Sequence, residues 1–170
     1  MGRTGQIYRR LRAAVVSEPT NFGWIVDRQL AASGRPSSRS QVKWLSKQGI
    51  NRFLTLTEQP LPEKWFTGTN ISVKHMAMPD HQAPEVERLI EASKYIQAET
   101  SSGAVVLVHC LAGKGRTGTV IAAYLMDEKD IDANSAVEFM RKLRPGSVET
   151  RQVRSLHELE QVMRVGSGQQ

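Results

Sequence analysis

The sequence is poor in cysteine, with Cys110 alone among 170 residues. An intrachain disulfide and a zinc site built on several thiolates are therefore excluded. No apolar run reaches the roughly 20 residues that a transmembrane helix requires, and the basic N-terminus is not followed by the apolar core of a signal peptide. Because a lone thiol persists in a reducing compartment, we expect a cytoplasmic protein without a transmembrane segment.

Internal repeats and low-complexity segments are also lacking, and aromatic residues make up only 6% of the chain. Hydrophobic residues account for 39% and charged residues for 24%, which is the composition of a globular domain. The net charge of +6, from 23 basic and 17 acidic residues, favours an anionic partner such as a phosphoprotein, phospholipid, nucleotide or nucleic acid. Since no basic stretch is interleaved with aromatic residues, a nucleic-acid binder has little support.

The length is that of one domain, which we expect to form a monomer and to span residues 21–165. Residues 1–20 contain four arginines and are compatible either with a packed helix or with a loose basic arm. Residues 166–170, with the sequence GSGQQ, are predicted to form a flexible tail.

Strand-like and helix-like segments alternate through the middle of the chain, which predicts an α/β domain with a largely parallel central sheet. Ser37 or Ser38 is placed to cap the first helix, and Gly49 to end it. The strands are expected at 22–26, 29–32, 52–57, 71–76 and 104–109, and the helices at 38–48, 84–99, 117–128, 132–143 and 150–164.

The segment 109–118, HCLAGKGRTG, combines a reactive side chain with a tight turn. A buried strand brings Cys110 to the carboxyl edge of the sheet, and a new helix is expected to start at Thr117 or Gly118. Backbone amides of such a loop converge on one point, and the helix N-terminus adds its positive end, so that the loop is suited to hold an anion. The predicted phosphate loop consists of Leu111, Ala112, Gly113, Lys114, Gly115 and Arg116.

This setting favours the thiolate of Cys110 over the thiol, because cysteines in comparable surroundings have pKa values of roughly 3.5–7.5 instead of about 8.5. Arg116 offers a planar pair of donors that matches two phosphate oxygens. Thr117 is placed to donate its hydroxyl to the sulfur and to stabilise it as a leaving group. A lone cysteine is more often a small buried hydrophobe, but the combined pattern favours a nucleophile beside a bound phosphate.

The segment resembles the HCxxGxxR[ST] signature of cysteine-dependent protein tyrosine phosphatases. Further similarity, in NFGWIVDRQLAASGRP, FLTLTE, the Pro79-Asp80 turn and RPGSVET, is to the small atypical dual-specificity phosphatases of the VHZ type and their archaeal relatives. The resemblance covers about residues 20–160. The resemblance implies one α/β domain with a central, mostly parallel sheet of four to five strands and helices on both sides.

The resemblance also implies an activity: hydrolysis of phosphomonoesters through a phosphocysteine intermediate, without a metal ion or another cofactor. The expected partners are proteins carrying phosphotyrosine, and phosphoserine or phosphothreonine as well. Asp80 corresponds to the general acid, and His109 to the residue that orders the loop. Glu149 and Gln152 correspond to supporting residues near the pocket, although Gln152 falls one position early for the family's water-positioning glutamine. His81 is expected to be an exposed loop residue.

Alternatives remain for the substrate. Lys114 resembles a lysine of phosphatase-and-tensin-type lipid phosphatases, but Leu111 stands where those enzymes have a second lysine. Phosphoinositide or RNA 5′-phosphatase activity is therefore a second hypothesis. A phosphate-binding module with weak catalysis is a third, because folds often retain a binding loop without its chemistry.

Overall fold

The structure, a computed structural model, describes residues 17–167. Within that range it contains five strands, five α-helices and one short 3₁₀ helix. In chain order they are β1 (Gly23–Val26), β2 (Leu30–Gly34), α1 (Arg39–Lys47), β3 (Arg52–Thr55), the 3₁₀ helix (Glu63–Trp65), β4 (Ser72–His75), α2 (Val86–Ser101), β5 (Val106–Cys110), α3 (Gly115–Lys129), α4 (Ala133–Leu143) and α5 (Thr150–Ser167).

The strands form one sheet in the order β1-β2-β5-β3-β4. Only β1 is antiparallel to its neighbour, and the other described pairs are parallel. The predicted, mostly parallel sheet is confirmed. Strand β5 lies between β2 and β3 and is buried along its whole length, because its continuous apolar run is covered on both faces.

Two hydrophobic clusters cover the two faces of the sheet, as alternation of side chains along a strand requires. Leu54 and Val108 point to the larger cluster, which includes buried residues of α2, α3, α4 and α5. Phe53 and Leu107 point to the smaller one, where Leu45 of α1 packs. The expected helices on both sides of the sheet are therefore present.

Local signals set several helix ends. Ser38 caps α1 by accepting a hydrogen bond from the amide of Gln41 at 3.3 Å, and Gly49 follows the helix with a φ of +88°. Asp132 caps α4 in the same way, through the amide of Ser135 at 2.7 Å. Helix α2 begins at Val86, two residues after Pro84, at which the sequence predicted its start.

The structure differs from the sequence prediction around the glycine-rich turn. Strand β5 runs one residue further than predicted, to Cys110, because Cys110 pairs with Gly34 of β2. Helix α3 begins at Gly115 and not at Thr117 or Gly118. The loop is therefore shorter than expected, and Arg116 belongs to the first turn of the helix.

The ends of the chain test the predicted segmentation only in part. Residues 1–16 of the basic N-terminal segment and residues 168–170 of the predicted tail lie outside the described residues. Gly166 and Ser167, which the sequence placed in that tail, are the last two residues of α5. Within residues 17–167, no helix has both the length and the apolar character needed to cross a bilayer.

Candidate active site

The turn between β5 and α3 lies at the carboxyl edge of the parallel strands, the edge at which open α/β sheets bind ligands. Cys110 ends β5 and is 3% exposed. Its Sγ accepts a hydrogen bond from the amide of Gly113 at 3.3 Å. The sulfur therefore faces the inside of the turn, where a backbone N–H points at it.

Two glycines let this turn pack closely against its surroundings. Gly113 has a φ of +73°, and a Cβ at this position would lie 2.3 Å from the carbonyl carbon of Ser33 and 2.5 Å from the amide nitrogen of Gly34. A Cβ on Gly115 would lie 2.9 Å from Oε1 of Glu149 and 3.0 Å from Oε1 of Gln152. The loop thus rests on the end of β2 on one side and meets two polar side chains of the α4–α5 region on the other.

Among the residues that the structure describes, Arg116 has the largest fully buried side chain, with 1% exposure. Its Nη1 donates hydrogen bonds to the carbonyl oxygen of Met78 at 2.8 Å and to Oε2 of Glu58 at 3.1 Å. Its Nη2 lies 3.0 Å from Oδ1 of Asp80 without hydrogen-bond alignment, and its Nε has no hydrogen-bond partner. One corner of the guanidinium is therefore anchored, while two donors remain for an anion.

Asp80 reaches the same edge of the sheet from the loop after β4, and its side chain is 33% exposed. Its backbone amide donates a hydrogen bond to Oε1 of Glu58 at 2.9 Å. Glu58 thus bridges the Asp80 loop and Arg116. Partial burial raises the pKa of Glu58, but its hydrogen bonds and the charge of Arg116 outweigh this effect and lower the pKa below its usual value.

His81 is exposed, as expected, and lies between two carboxylates. Its ring nitrogens are 3.7 Å from Oδ2 of Asp80 and 3.6 Å from Oε2 of Glu149. Arg151, in the first turn of α5, donates a hydrogen bond to the carbonyl oxygen of His81 at 2.8 Å. The Asp80 loop is therefore held against the start of α5.

Gln152 is buried, with 1% exposure, and belongs to the first turn of α5. Its Oε1 accepts hydrogen bonds from the hydroxyl of Thr119 and from the amide of Glu149, both at 3.1 Å. Although the sequence places this glutamine one position early, its amide lies directly beside Gly115 of the loop.

His109 is completely buried, and its Nε2 lies 2.9 Å from the hydroxyl oxygen of Thr55 on β3. Burial lowers the pKa of His109 to about 3, so that the ring is neutral near pH 7. The pairing ties the last residues of β5 to β3 just before Cys110. The ring is therefore enclosed in the protein interior and is not exposed at the surface.

Thr117 is also fully buried, but its hydroxyl has no hydrogen-bond partner. The expected bond from this hydroxyl to Cys110 is thus not formed in this structure. Lys114, which precedes α3, is exposed, whereas Leu111 and Ala112 are half-buried.

Three residues near the loop were given no role from the sequence. Glu58 contacts Arg116 and the Asp80 loop, as described above. Asn21 donates a hydrogen bond to the carbonyl oxygen of Ala112 at 2.7 Å, and Arg144 donates one to that of Gly113 at 3.1 Å. The FLTLTE segment contained a signal for Glu58, because a residue that follows a parallel strand comes to the edge at which the other strands end.

Comparison with known proteins adds an independent line of evidence. A family model described as "Swiss Army Knife protein, DSP-PTPase phosphatase domain" matches residues 19–156. The Schizosaccharomyces pombe tyrosine-protein phosphatase CDC14 homolog is 30% identical over 156 residues, which are 82% of this chain and 29% of that protein. The Arabidopsis thaliana phosphatidylglycerophosphate phosphatase PTPMT1 is 30% identical over 117 residues, which are 68% of this chain and 35% of that protein.

Among solved structures, Tk-PTP in its active form is similar, with a TM-score of 0.75 and 32% sequence identity. The similarity covers 82% of this chain and 96% of that one. The chain thus corresponds to nearly all of this small protein, but it spans only 29% of the length of the CDC14-type relatives.

Proposed function

The chain belongs to the dual-specificity type of the cysteine-dependent protein tyrosine phosphatases, and from this premise we propose that it hydrolyses phosphomonoesters through a phosphocysteine intermediate without a metal ion. The observation that carries the proposal is the position of Cys110 Sγ inside the β5–α3 turn, where the amide of Gly113 donates to it at 3.3 Å. Arg116 and Asp80 lie at the same edge of the sheet, 3.0 Å apart.

In the first step, the Cys110 thiolate attacks the phosphorus in line with the leaving oxygen. An S–P bond forms and the P–O bond to the leaving group breaks. The loop amides together with Nε and Nη2 of Arg116 bind the three non-bridging oxygens, where charge is spread in the transition state. Asp80 donates its proton to the departing oxygen, so that an alcohol or a phenol leaves and not its anion.

In the second step, water attacks the phosphorus of the phosphocysteine and the S–P bond breaks. Asp80, now a carboxylate, accepts the proton of this water, so the enzyme returns to its starting state and releases inorganic phosphate. The amide of Gln152, beside Gly115, orients the water, and Glu149 supports it. The buried hydroxyl of Thr117 turns towards Sγ and stabilises the thiolate as it leaves.

For the substrate, we favour a protein carrying phosphotyrosine, with phosphoserine and phosphothreonine as additional substrates. A chain of 170 residues has little length for the added loops that deepen the pocket of larger tyrosine-specific enzymes. Aryl phosphates should react faster than alkyl phosphates, because phenolate is the better leaving group. We expect the protein to act as a monomer, and its lone thiol favours a reducing, cytoplasmic environment.

A lipid phosphate is the second candidate. Lys114 is an exposed residue of the loop and adds positive charge for a polyanionic headgroup. A plant relative described as a phosphatidylglycerophosphate phosphatase is 30% identical to this chain. Leu111 stands at the place where the lipid-phosphatase pattern has a second lysine, so we rank this activity behind protein dephosphorylation, together with an RNA 5′-phosphatase.

The decisive experiment measures hydrolysis of para-nitrophenyl phosphate in the presence of EDTA. We expect activity in the wild type, none in Cys110→Ser, and a smaller loss in Asp80→Ala whose size depends on the pH. Asp27→Ala, at an exposed acid between β1 and β2, is the matched control and should keep full activity. Activity that needs an added metal ion, or that survives in Cys110→Ser, would contradict the mechanism.

A panel of phosphotyrosyl, phosphoseryl and phosphoinositide substrates, with a 5′-phosphorylated RNA, then ranks the substrate classes. Binding of inorganic phosphate by the wild type without turnover of any substrate in the panel would instead point to a phosphate-binding module.

A further inference from the structure

The outer side of the β5–α3 turn is bound by other parts of the chain at three successive carbonyl groups. The carbonyl oxygen of Leu111 accepts a hydrogen bond from the amide of Arg35, which follows β2, at 3.1 Å. That of Ala112 accepts one from Nδ2 of Asn21 at 2.7 Å, and that of Gly113 accepts one from Nη2 of Arg144 at 3.1 Å. All three carbonyls therefore point away from the inside of the turn.

A trans peptide unit is planar, and its C=O and N–H point in opposite directions. The described residues contain no cis peptide bond. The unit that presents its C=O to Asn21 is the one whose N–H, on Gly113, donates to Sγ of Cys110. Asn21 and Cys110 thus hold the two ends of the same peptide dipole. Arg144 binds the carbonyl oxygen of the next peptide unit, whose N–H belongs to Lys114. This unit is therefore also held from its carbonyl end.

Asn21 is suited to this position by its backbone conformation. It has a φ of +53°, in the left-handed region that asparagine adopts more readily than most other residues. Its carbonyl oxygen accepts a short hydrogen bond from Nη2 of Arg144, the atom that also binds the carbonyl oxygen of Gly113. Asn21 and Arg144 are therefore connected through the backbone carbonyl of Asn21, and together they form one brace on the outside of the loop.

We propose that Asn21 and Arg144 are positioning residues that turn the loop amides towards the Cys110 sulfur and the substrate phosphate. Neither side chain touches the reacting atoms. Each fixes a peptide unit from its carbonyl end, and a hydrogen bond at the carbonyl also polarises the N–H at the other end. The proposal rests on the proposed phosphatase function for its effect on turnover, but its effect on the sulfur is independent of substrate.

The test uses Asn21→Gly, which removes the side-chain amide while tolerating the positive φ. Arg144→Lys keeps the charge but loses the planar pair of donors. Asp130→Gly is the matched control, because Asp130 also has a positive φ of 50° but lies at the C-terminal end of α3. The readouts are the rate of alkylation by iodoacetate at fixed pH, which reports the thiolate of the single cysteine, and kcat and KM for para-nitrophenyl phosphate.

We expect Asn21→Gly to slow alkylation near neutral pH and to move its pH dependence to higher pH. It should also lower kcat/KM about tenfold, because the Gly113 amide, no longer held at the carbonyl end of its peptide unit, makes a weaker hydrogen bond to the charged sulfur. Arg144→Lys should act in the same direction, and Asp130→Gly should change neither readout. Unchanged alkylation in both brace variants, or a change equal to that of Asp130→Gly, would overturn the proposal. If the wild type shows no hydrolysis, the alkylation comparison still decides it, whereas the proposed function alone fails.

Discussion

At the scale of single residues, the most demanding group in the site is the guanidinium of Arg116. A cation that is 1% exposed needs compensation, since a buried unpaired charge is costly. Two carboxylates, Glu58 and Asp80, lie 3.1 and 3.0 Å from its terminal nitrogens. Because Asp80 exchanges a proton in the proposed mechanism, Glu58 is the partner that keeps its charge throughout.

This arrangement predicts a specific effect for Glu58→Gln. The amide can still accept the hydrogen bond from the backbone of Asp80, but it no longer neutralises Arg116. We expect kcat/KM for para-nitrophenyl phosphate to fall about tenfold, the size of one charge-assisted hydrogen bond. Thermal stability should fall as well, because the buried guanidinium of Arg116 loses one of its two compensating charges.

Glu63→Gln is the matched control, because Glu63 is an exposed acid in the 3₁₀ helix that follows Glu58 in the chain. Equal kinetics in the two variants would refute a role for Glu58 in positioning Arg116.

His109 makes stability depend on pH. In the unfolded chain it takes up a proton near its ordinary pKa of 6.5, whereas in the folded protein burial delays protonation to a pKa of about 3. The unfolded state therefore binds more protons in this interval, and stability falls as the pH drops below 6.5. Between pH 7 and pH 5, His109 alone should remove about 2 kcal/mol of unfolding free energy.

Urea denaturation of the wild type and of His109→Gln at pH 7 and pH 5 measures this contribution. The variant should be less stable at pH 7 but should lose less stability on acidification, because Gln does not titrate. The same pH dependence in both proteins would mean that His109 is protonated in the folded state.

At the scale of elements, the conformation of the β5–α3 turn is held by three other parts of the chain that approach it closely. The end of β2 lies under Gly113, the α4–α5 region lies against Gly115, and Asn21, before β1, binds the carbonyl oxygen of Ala112 on the outside of the turn. The positive φ of Gly113 supplies the turn, and the missing Cβ supplies the contact with the β2 backbone. Shape and chemistry of the loop are thus set by its neighbours as much as by its own residues.

Gly113→Ala tests this close packing. The added Cβ would lie 2.3–2.5 Å from backbone atoms of Ser33 and Gly34, which have no freedom to move aside. We expect the loop to shift and kcat/KM to fall by more than about a hundredfold, since small displacements of reacting groups have such effects.

Gly68→Ala is the matched control, because Gly68 also has a positive φ, of +80°, but no atom within 4 Å of the added Cβ. It should cost about 1 kcal/mol of stability from backbone strain and leave activity intact. Comparable activity in both variants would show that the β2 contact does not hold the loop in place.

At the scale of the whole molecule, the single cysteine decides how the protein responds to oxidation. Hydrogen peroxide transfers an oxygen atom to the Cys110 thiolate and gives a sulfenic acid and a hydroxide ion. No second cysteine in the chain can trap this product as an internal disulfide. We therefore expect peroxide to inactivate the enzyme, and dithiothreitol to restore only part of the activity, because the unprotected sulfenic acid is oxidised further.

Residual hydrolysis after timed peroxide exposure, with and without dithiothreitol, measures both the inactivation and the partial recovery. Inorganic phosphate present during exposure should slow the inactivation by occupying the loop. Activity that is indifferent to peroxide would argue against a thiolate at Cys110.

Much of the molecule follows from local sequence. Periodicity and capping residues indicated all five strands and five helices of the described range, and the parallel sheet followed from their alternation. The boundaries near the loop were less accurate, since α3 starts at Gly115 and not at Thr117 or Gly118. The N-cap residue of α3, Lys114, makes no capping hydrogen bond with its side chain, and the start of such a helix is difficult to predict from the sequence.

The sequence by itself determined which residues the proposed chemistry would use at the loop, because Cys110, the loop amides and Arg116 lie within one contiguous stretch whose spacing is visible along the chain. Only the tertiary structure decided what surrounds that stretch. Glu58, Asn21 and Arg144 reach the loop from distant positions, through the register of parallel strands and the packing of the α4–α5 region. Such contacts depend on where separate segments meet in space, and no local pattern of residue types records that.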